Sequence, residues 1–175
     1  MHYQIFWSSR GHPVHLNWTV SVDGVDCYIN EPSPFSATWF SHKRKTAGLR
    51  YEIGLSLRTG KIVWIYGPFK CGSFPDQRIF KKRLEKKLSD VGERAIADNG
   101  YSGLSVISKE HLARHFKNHH ARYRAKHETV NARFKIFNVL TKTFRHNRAK
   151  HGICFHAVGR IVQEMISIED PLFQL

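Results

Sequence analysis

The chain has 175 residues, 41% of them hydrophobic and 13% aromatic, which is enough apolar material for one folded domain with a real core. Its 28 Lys and Arg against 14 Asp and Glu leave a formal charge of +14, a balance that attracts polyanions and nucleic acid before others. Cys27, Cys71 and Cys154 stand far apart with no CxxC or Cys/His spacing, which excludes a zinc finger and a disulfide framework. No apolar run approaches the roughly 20 residues that span a bilayer, and Met1 to Trp7 lacks the pattern of a signal peptide, so an intracellular chain without membrane contact is expected.

Residues 1–14 carry Trp7, Gly11 and Pro13 without a period and read as an irregular lead-in to one domain over 15–170, with 171–175 as a tail. Leu16 to Val22 alternates with β-branched and aromatic residues, and Cys27-Tyr28-Ile29 follows the turn signal Asp23-Gly24. Two short strands are expected there, with Asp23 at the end of the first and Asp26 as the rival acid. Ser41 to Gly48 reads as a polar loop. Its Lys43, Arg44 and Lys45 are either a solvated surface or phosphate contacts.

Leu49 to Leu57 and Lys61 to Tyr66, separated by Arg58-Thr59-Gly60, form the clearest hairpin in the chain. Pro75 opens a helix to Leu88 in which Ile79, Phe80, Leu84 and Leu88 make one apolar stripe, and Asp76 suits its positive end. Ala95-Ile96-Ala97 then reads as a short buried strand stopped by Asn99-Gly100, which places the Asp98 carboxylate at the strand's exposed C-terminal tip. Open α/β sheets bind their ligands at such tips.

Leu104 to Ile107 suggests one more strand. The following Arg-, Lys- and His-rich stretch, with His115, His119 and His120, reads as a cationic lead-in to a helix. From Arg122 to Leu140, Val130, Phe134 and Phe137 mark the buried face, while Arg124, Glu128 and Lys135 share another. A last helix from His151 to Ile168 repeats Cys154, Val158, Ile161 and Met165, as a lid or outer layer. A hairpin followed by a helical crossover into a further strand implies an α/β fold, a mixed sheet flanked by helices with the Asp23 and Asp98 strands adjacent at its centre. Taken singly, each of the three acids reads as a turn residue or a solvated charge.

Together, Val22-Asp23-Gly24, Leu49 to Gly54, Gly67-Pro68-Phe69, Gly72 with Asp76, Ala97 to Tyr101 and Arg124 to Lys135 resemble the nuclease domain of Harbinger-type transposases, a branch of the DDE superfamily. The resemblance implies a ribonuclease-H-like fold. It also implies Asp23, Asp98 and Glu128 as catalytic, metal-binding acids for two divalent ions, Mg²⁺ or Mn²⁺. DNA, as transposon ends or a related target, is the implied substrate, with Lys43, Arg44, Lys45, Arg124 and Lys135 as candidate phosphate contacts, in a nucleus if the source is eukaryotic. Such transposases commonly carry a helix-turn-helix-like region before the first Asp, and 22 residues precede Asp23 here, so a separate DNA-binding partner protein or a homo-oligomer is expected. The alternative is a catalytically inactive or domesticated DNA-binding or adaptor protein that keeps the fold and the basic surface.

Overall fold

The computed structural model describes residues 7–12, 17–98, 100–103, 106–107 and 117–169. A mixed sheet is built from β1 (Trp18–Tyr28), β2 (Phe40–Ser41), β3 (Thr46–Ser56), β4 (Ile62–Lys70), β5 (Arg94–Ala97) and β6 (Val106–Ile107). The spatial order is β4-β3-β1-β5-β6, with β2 paired to the first residues of β3. β1 runs antiparallel to β3 and parallel to β5, so the Asp23 and Asp98 strands are neighbours at the centre, as expected. Helices α1 (Asp76–Ser89), α2 (Lys117–Lys135), α3 (Asn138–Thr141) and α4 (His151–Glu164) flank the sheet. This is an α/β architecture of the ribonuclease-H-like kind.

The sheet separates two apolar layers. On one face Val25, Cys27, Tyr51, Ile53 and Leu55 pack against Val130 and Phe134 of α2 and Phe155, Val158 and Val162 of α4. On the other, Val20, Val22, Trp64 and Tyr66 pack against Ile79, Phe80, Leu84 and Leu88, the stripe foreseen on α1. The lead-in packs down too: Trp7 meets Trp64 edge-on at 5.9 Å, and Arg10 forms a two-pronged ion pair with Glu93 at 2.8 Å. Among the described residues no helix is long and apolar enough to cross a membrane.

Three expectations need correction. The Asp23-Gly24 pair is not a turn: β1 is one strand of 11 residues, and its pairing with β3 runs straight through Asp23↔Ile53 and Gly24↔Glu52. The glycine serves packing instead, because a Cβ at position 24 would collide with the Asp76 carboxylate. The helix expected from Arg122 to Leu140 is two helices, α2 ending at Lys135 and the four-residue α3. Finally, α4 is a core element and is turned relative to the expected face. His151, Phe155, Val158, Val162 and, just beyond the helix, Ile166 are buried, while Ile161 is 48% exposed. The reason is aromatic: Phe155 stacks on Tyr51 at 3.7 Å between centroids, and the Tyr51 hydroxyl and His151 Nδ1 share a hydrogen bond at 2.7 Å. The helix-start signal at Ser108 and the side chains of His115, His119 and His120 lie outside the described residues.

Glu52 faces the α1 side, paired in register with Gly24. One of its oxygens accepts the Trp64 indole N–H at 2.9 Å, and Oε2 has no hydrogen-bond partner among the described residues. Burial pushes its carboxyl from 4.5 up to about 8, so the folded chain holds the proton more tightly than the unfolded one. That contribution to stability is complete below the unfolded value and is lost as pH rises toward the folded one. Glu52→Gln, neutral at every pH, should therefore gain stability over the parent chain between pH 5 and pH 8, by on the order of 3 kcal/mol or several degrees of melting temperature. Melting curves of both proteins across that window check it; a constant difference between them would mean the buried acid does not titrate there.

Candidate active site

β5 stops at Ala97, opposite Val22 of β1, and the chain then turns at Asp98, whose carbonyl accepts the Tyr101 N–H at 3.0 Å. Asp23 is the first residue of β1 beyond that pairing. Along β1, Thr19, Ser21, Asp23, Val25 and Cys27 point to one side, and Val25 and Cys27 pack in the α2–α4 core, so the Asp23 side chain faces α2. The arrangement opens a cleft lined by Ser21, Val22 and Asp23 of β1, Ile96, Ala97 and Asp98 at the end of β5, and Tyr123, Arg124, His127 and Glu128 of α2. All three acids singled out from the sequence line this one cleft.

Their holds differ. Asp23 Oδ1 accepts the Gly24 N–H at 2.8 Å, and Oδ2 accepts the Asn131 amide at 3.1 Å. Asp98 is half exposed and lies 4.0 Å from the Arg124 guanidinium, itself half exposed. Glu128 is exposed. His127, buried beside the Ser21 backbone and Asp23, makes no ring-nitrogen hydrogen bond among the described residues. Burial holds its pKa below the ordinary value, against the opposing pull of the Asp23 charge.

Hard oxygen donors of this kind suit Mg²⁺ or Mn²⁺, and three carboxylates supply both charge and ligand atoms. Among the described residues, no three His, Cys, Asp or Glu side chains converge closely enough to enclose an ion. Asp23 is held by hydrogen bonds on both carboxylate oxygens, and Asp98 and Glu128 are exposed.

The rival, Asp26, is committed elsewhere. Its carboxylate takes two hydrogen bonds from Arg50 at 2.6 and 2.9 Å and one from Ser41 at 2.6 Å. Burial alone would raise its pKa, but the bonds from Arg50 and Ser41 outweigh it and hold the group below the usual carboxylate range. Asp76 sits over Gly24 with Arg50 Nε 3.4 Å away, and burial raises its pKa. These two acids serve packing on the α1 side of β1.

Of the five candidate phosphate contacts, Arg124 alone lines the acid cleft. Lys43 and Lys45 are exposed on the turn before β3, while Arg44 folds back over the Tyr28 ring and lines a second hollow together with Lys135. Asn131 and His127 escaped sequence reasoning. The available signal was their spacing: four residues apart, either side of Glu128, they place polar groups on the helix face that Val130 and Phe134 make apolar.

The description "DDE superfamily endonuclease" belongs to a family model that matches residues 22–164. A relative from Microchaete diplosiphon, "Probable transposase for insertion sequence element IS702", is 27% identical over 164 residues, covering 86% of this chain and 58% of its own length. The chain therefore spans little more than half of that relative. No solved structure matches.

Asn131→Ala should cost roughly 1.5–3 kcal/mol, the range for a hydrogen bond to a charged group. Chemical denaturation at pH 7 measures it, and a loss below about 0.5 kcal/mol would show that the Asn131–Asp23 bond does not hold α2 to β1.

Proposed function

Since the chain belongs to the DDE superfamily of endonucleases, we propose that it is a metal-dependent DNA endonuclease and transposase catalytic domain, with Asp23, Asp98 and Glu128 as its ligand set. One observation carries the reading: three carboxylates from three separate elements, a strand middle, a strand end and a helix, line one cleft on a protein of formal charge +14. A solvated charge has no reason to meet two others in this way.

The residues divide the work. Asp23, held by the Gly24 N–H and the Asn131 amide, presents a carboxylate of set orientation. Asp98 and Glu128 approach from the β5 tip and from α2, so ligand geometry depends on how β5 and α2 dock on β1. Bound divalent ions in such sites activate the attacking oxygen, a water or a DNA 3′-hydroxyl, and stabilise the leaving oxygen. Attack forms one P–O bond as the opposite one breaks, so either hydrolysis or strand transfer follows from the same cleft without a covalent protein intermediate. Arg124, beside Asp98, is placed to hold a non-bridging phosphate oxygen. A DNA-binding partner protein, a homo-oligomer on the DNA and a nuclear location in a eukaryotic source belong to the same proposal.

A second reading, a DNA-binding or adaptor protein derived from a transposase and without catalysis, draws on the spread of the three acids, which do not enclose an ion among the described residues. The two separate in one experiment. With Mg²⁺ or Mn²⁺ in excess, the parent chain should nick supercoiled DNA and Asp98→Asn should lose at least about 100-fold of that rate, some 2.7 kcal/mol of barrier. Mn²⁺ titration calorimetry should show binding heat that the variant lacks. Equal residual nicking in both proteins would remove the nuclease assignment, and salt-sensitive DNA binding with no Mn²⁺ heat would establish the adaptor.

A further inference from the structure

β1 continues past the end of β5, and among the described residues no strand pairs with its edge on that side from Asp23 to Cys27, a stretch buried but for the partly exposed Asp23. On the edge facing β5, the last pairing is Val22↔Ala97. The same edge is taken up again by the segment after α3, where the Phe144 N–H donates to Tyr28 O at 3.0 Å and the Asn30 N–H to Phe144 O at 3.3 Å. Between these points lie Asp23 to Cys27. Val25 to Tyr28 floor a hollow walled by Phe134 and Lys135 of α2, Leu140 and Thr141 of α3, and Arg44. It shares Tyr28 and Thr141 with a larger hollow lined by Lys142, Arg145 and His146. The acid cleft and the two hollows thus follow one another along β1.

Around the two hollows the exposed charge is of one sign. Lys135, Lys142 and Arg145 are exposed, and Arg44 is half-buried, its guanidinium 5.1 Å above the Tyr28 ring and bonded to the Tyr28 hydroxyl at 3.2 Å. The acid that lines the smaller hollow, Asp26, is buried and neutralised by Arg50. From Asp23 to Tyr28 the strand advances five residues, roughly 17 Å, equal to about five base pairs at 3.4 Å each.

We propose that this groove, rimmed by Arg44, Lys135, Lys142 and Arg145 beside the buried stretch of β1, holds the backbone of the duplex DNA that flanks the acid cleft, about five base pairs from the phosphate under attack. The inference rests on the DNA reading of that cleft and adds a direction to it: the duplex leaves the cleft along β1 toward the segment after α3. The cations there meet phosphate, so they set register without reading sequence.

The test is DNA binding by the whole chain to a 30-base-pair duplex (about three helical turns) in EDTA, so that no metal-dependent step enters. The slope of log K against log[KCl] falls by about 0.9 for each phosphate that the protein ceases to neutralise. Lys142→Ala/Arg145→Ala should flatten it by about 1.8. Lys81→Ala/Lys86→Ala, which removes the same charge from exposed positions of α1 on the other face of the sheet, should leave it nearly unchanged. Arg145→Glu alone, read by the same slope, replaces the double variant if that variant does not fold. An unchanged slope in the groove variant, or equal flattening in both pairs, overturns the proposal, as does a steeper slope on duplex RNA than on duplex DNA. Asp98→Asn keeps the outcomes apart: it should keep the full slope whether or not it nicks, so failure of the nuclease reading shows in nicking and Mn²⁺ heat, and failure of the groove shows in the slope.

Discussion

The difference in length between two neighbouring strands organises this molecule. β1 is 11 residues long and is held along one edge by β3 for most of that length, whereas β5, on the other edge, contributes four residues and stops opposite Val22. Beyond that point no strand among the described residues pairs with the second edge of β1, and its backbone groups must be satisfied in other ways, as where Asp23 Oδ1 accepts the Gly24 N–H. The protein uses that opening for the cleft and for the groove beyond it. Asp23 is the first side chain past the end of β5, and Asp98 is the first residue after β5 itself, so the same chain stop delivers both carboxylates to one place. Glu128 needs a third element, and α2 is fastened over β1 by Val130 and Phe134 in the core and by Asn131 on Asp23.

The other face of β1 shows what this geometry demands. Gly24 gives room to the Asp76 carboxylate, and Asp76, Arg50 and Asp26 form a linked set of charges in which Arg50 contacts both acids. Asp26 is the buried member, and removing Arg50 would strand its charge, at about 3–5 kcal/mol. Asp23, on the opposite side of the strand, takes its two hydrogen bonds from a backbone N–H and a neutral amide, which orient the carboxylate and leave its charge in place. Two acids three residues apart on one strand are thus held differently, Asp26 paired with Arg50 within the fold and Asp23 facing the cleft without a cation at hydrogen-bond distance among the described residues.

How much of this the sequence discloses depends on whether the signal is local. The hairpin of β3 and β4 and the stripe of α1 are legible because period-two alternation and i, i+4 spacing are properties of a single segment. The three acids are legible only through their resemblance to a family, since each alone stands in an ordinary context. Asp23-Gly24 misleads because Asp-Gly is a strong turn signal, while here the glycine answers a steric demand from a residue 52 positions later. The α4 face misleads for a similar reason: two apolar stripes one residue apart compete, and stacking of Phe155 on Tyr51, over 100 residues away, chooses between them. Asn131 cannot be read at all without knowing which strand α2 crosses.

The cations show the same limit most clearly. Lys43-Arg44-Lys45 is one run in the sequence, yet its members divide on folding: Arg44 turns inward onto Tyr28 to meet Lys135, and its neighbours stay in solvent. Arg124 and Lys135, 11 residues apart on one helix, or roughly 16 Å at 1.5 Å per residue, lie at the acid cleft and in the adjoining hollow. α2 therefore runs alongside β1 from the acid cleft to the adjoining hollow, with a cation at each. A net charge of +14 spread evenly would attract any polyanion in any pose; on the proposed reading, charge arranged beside one strand would give the polymer a path that starts at the carboxylates.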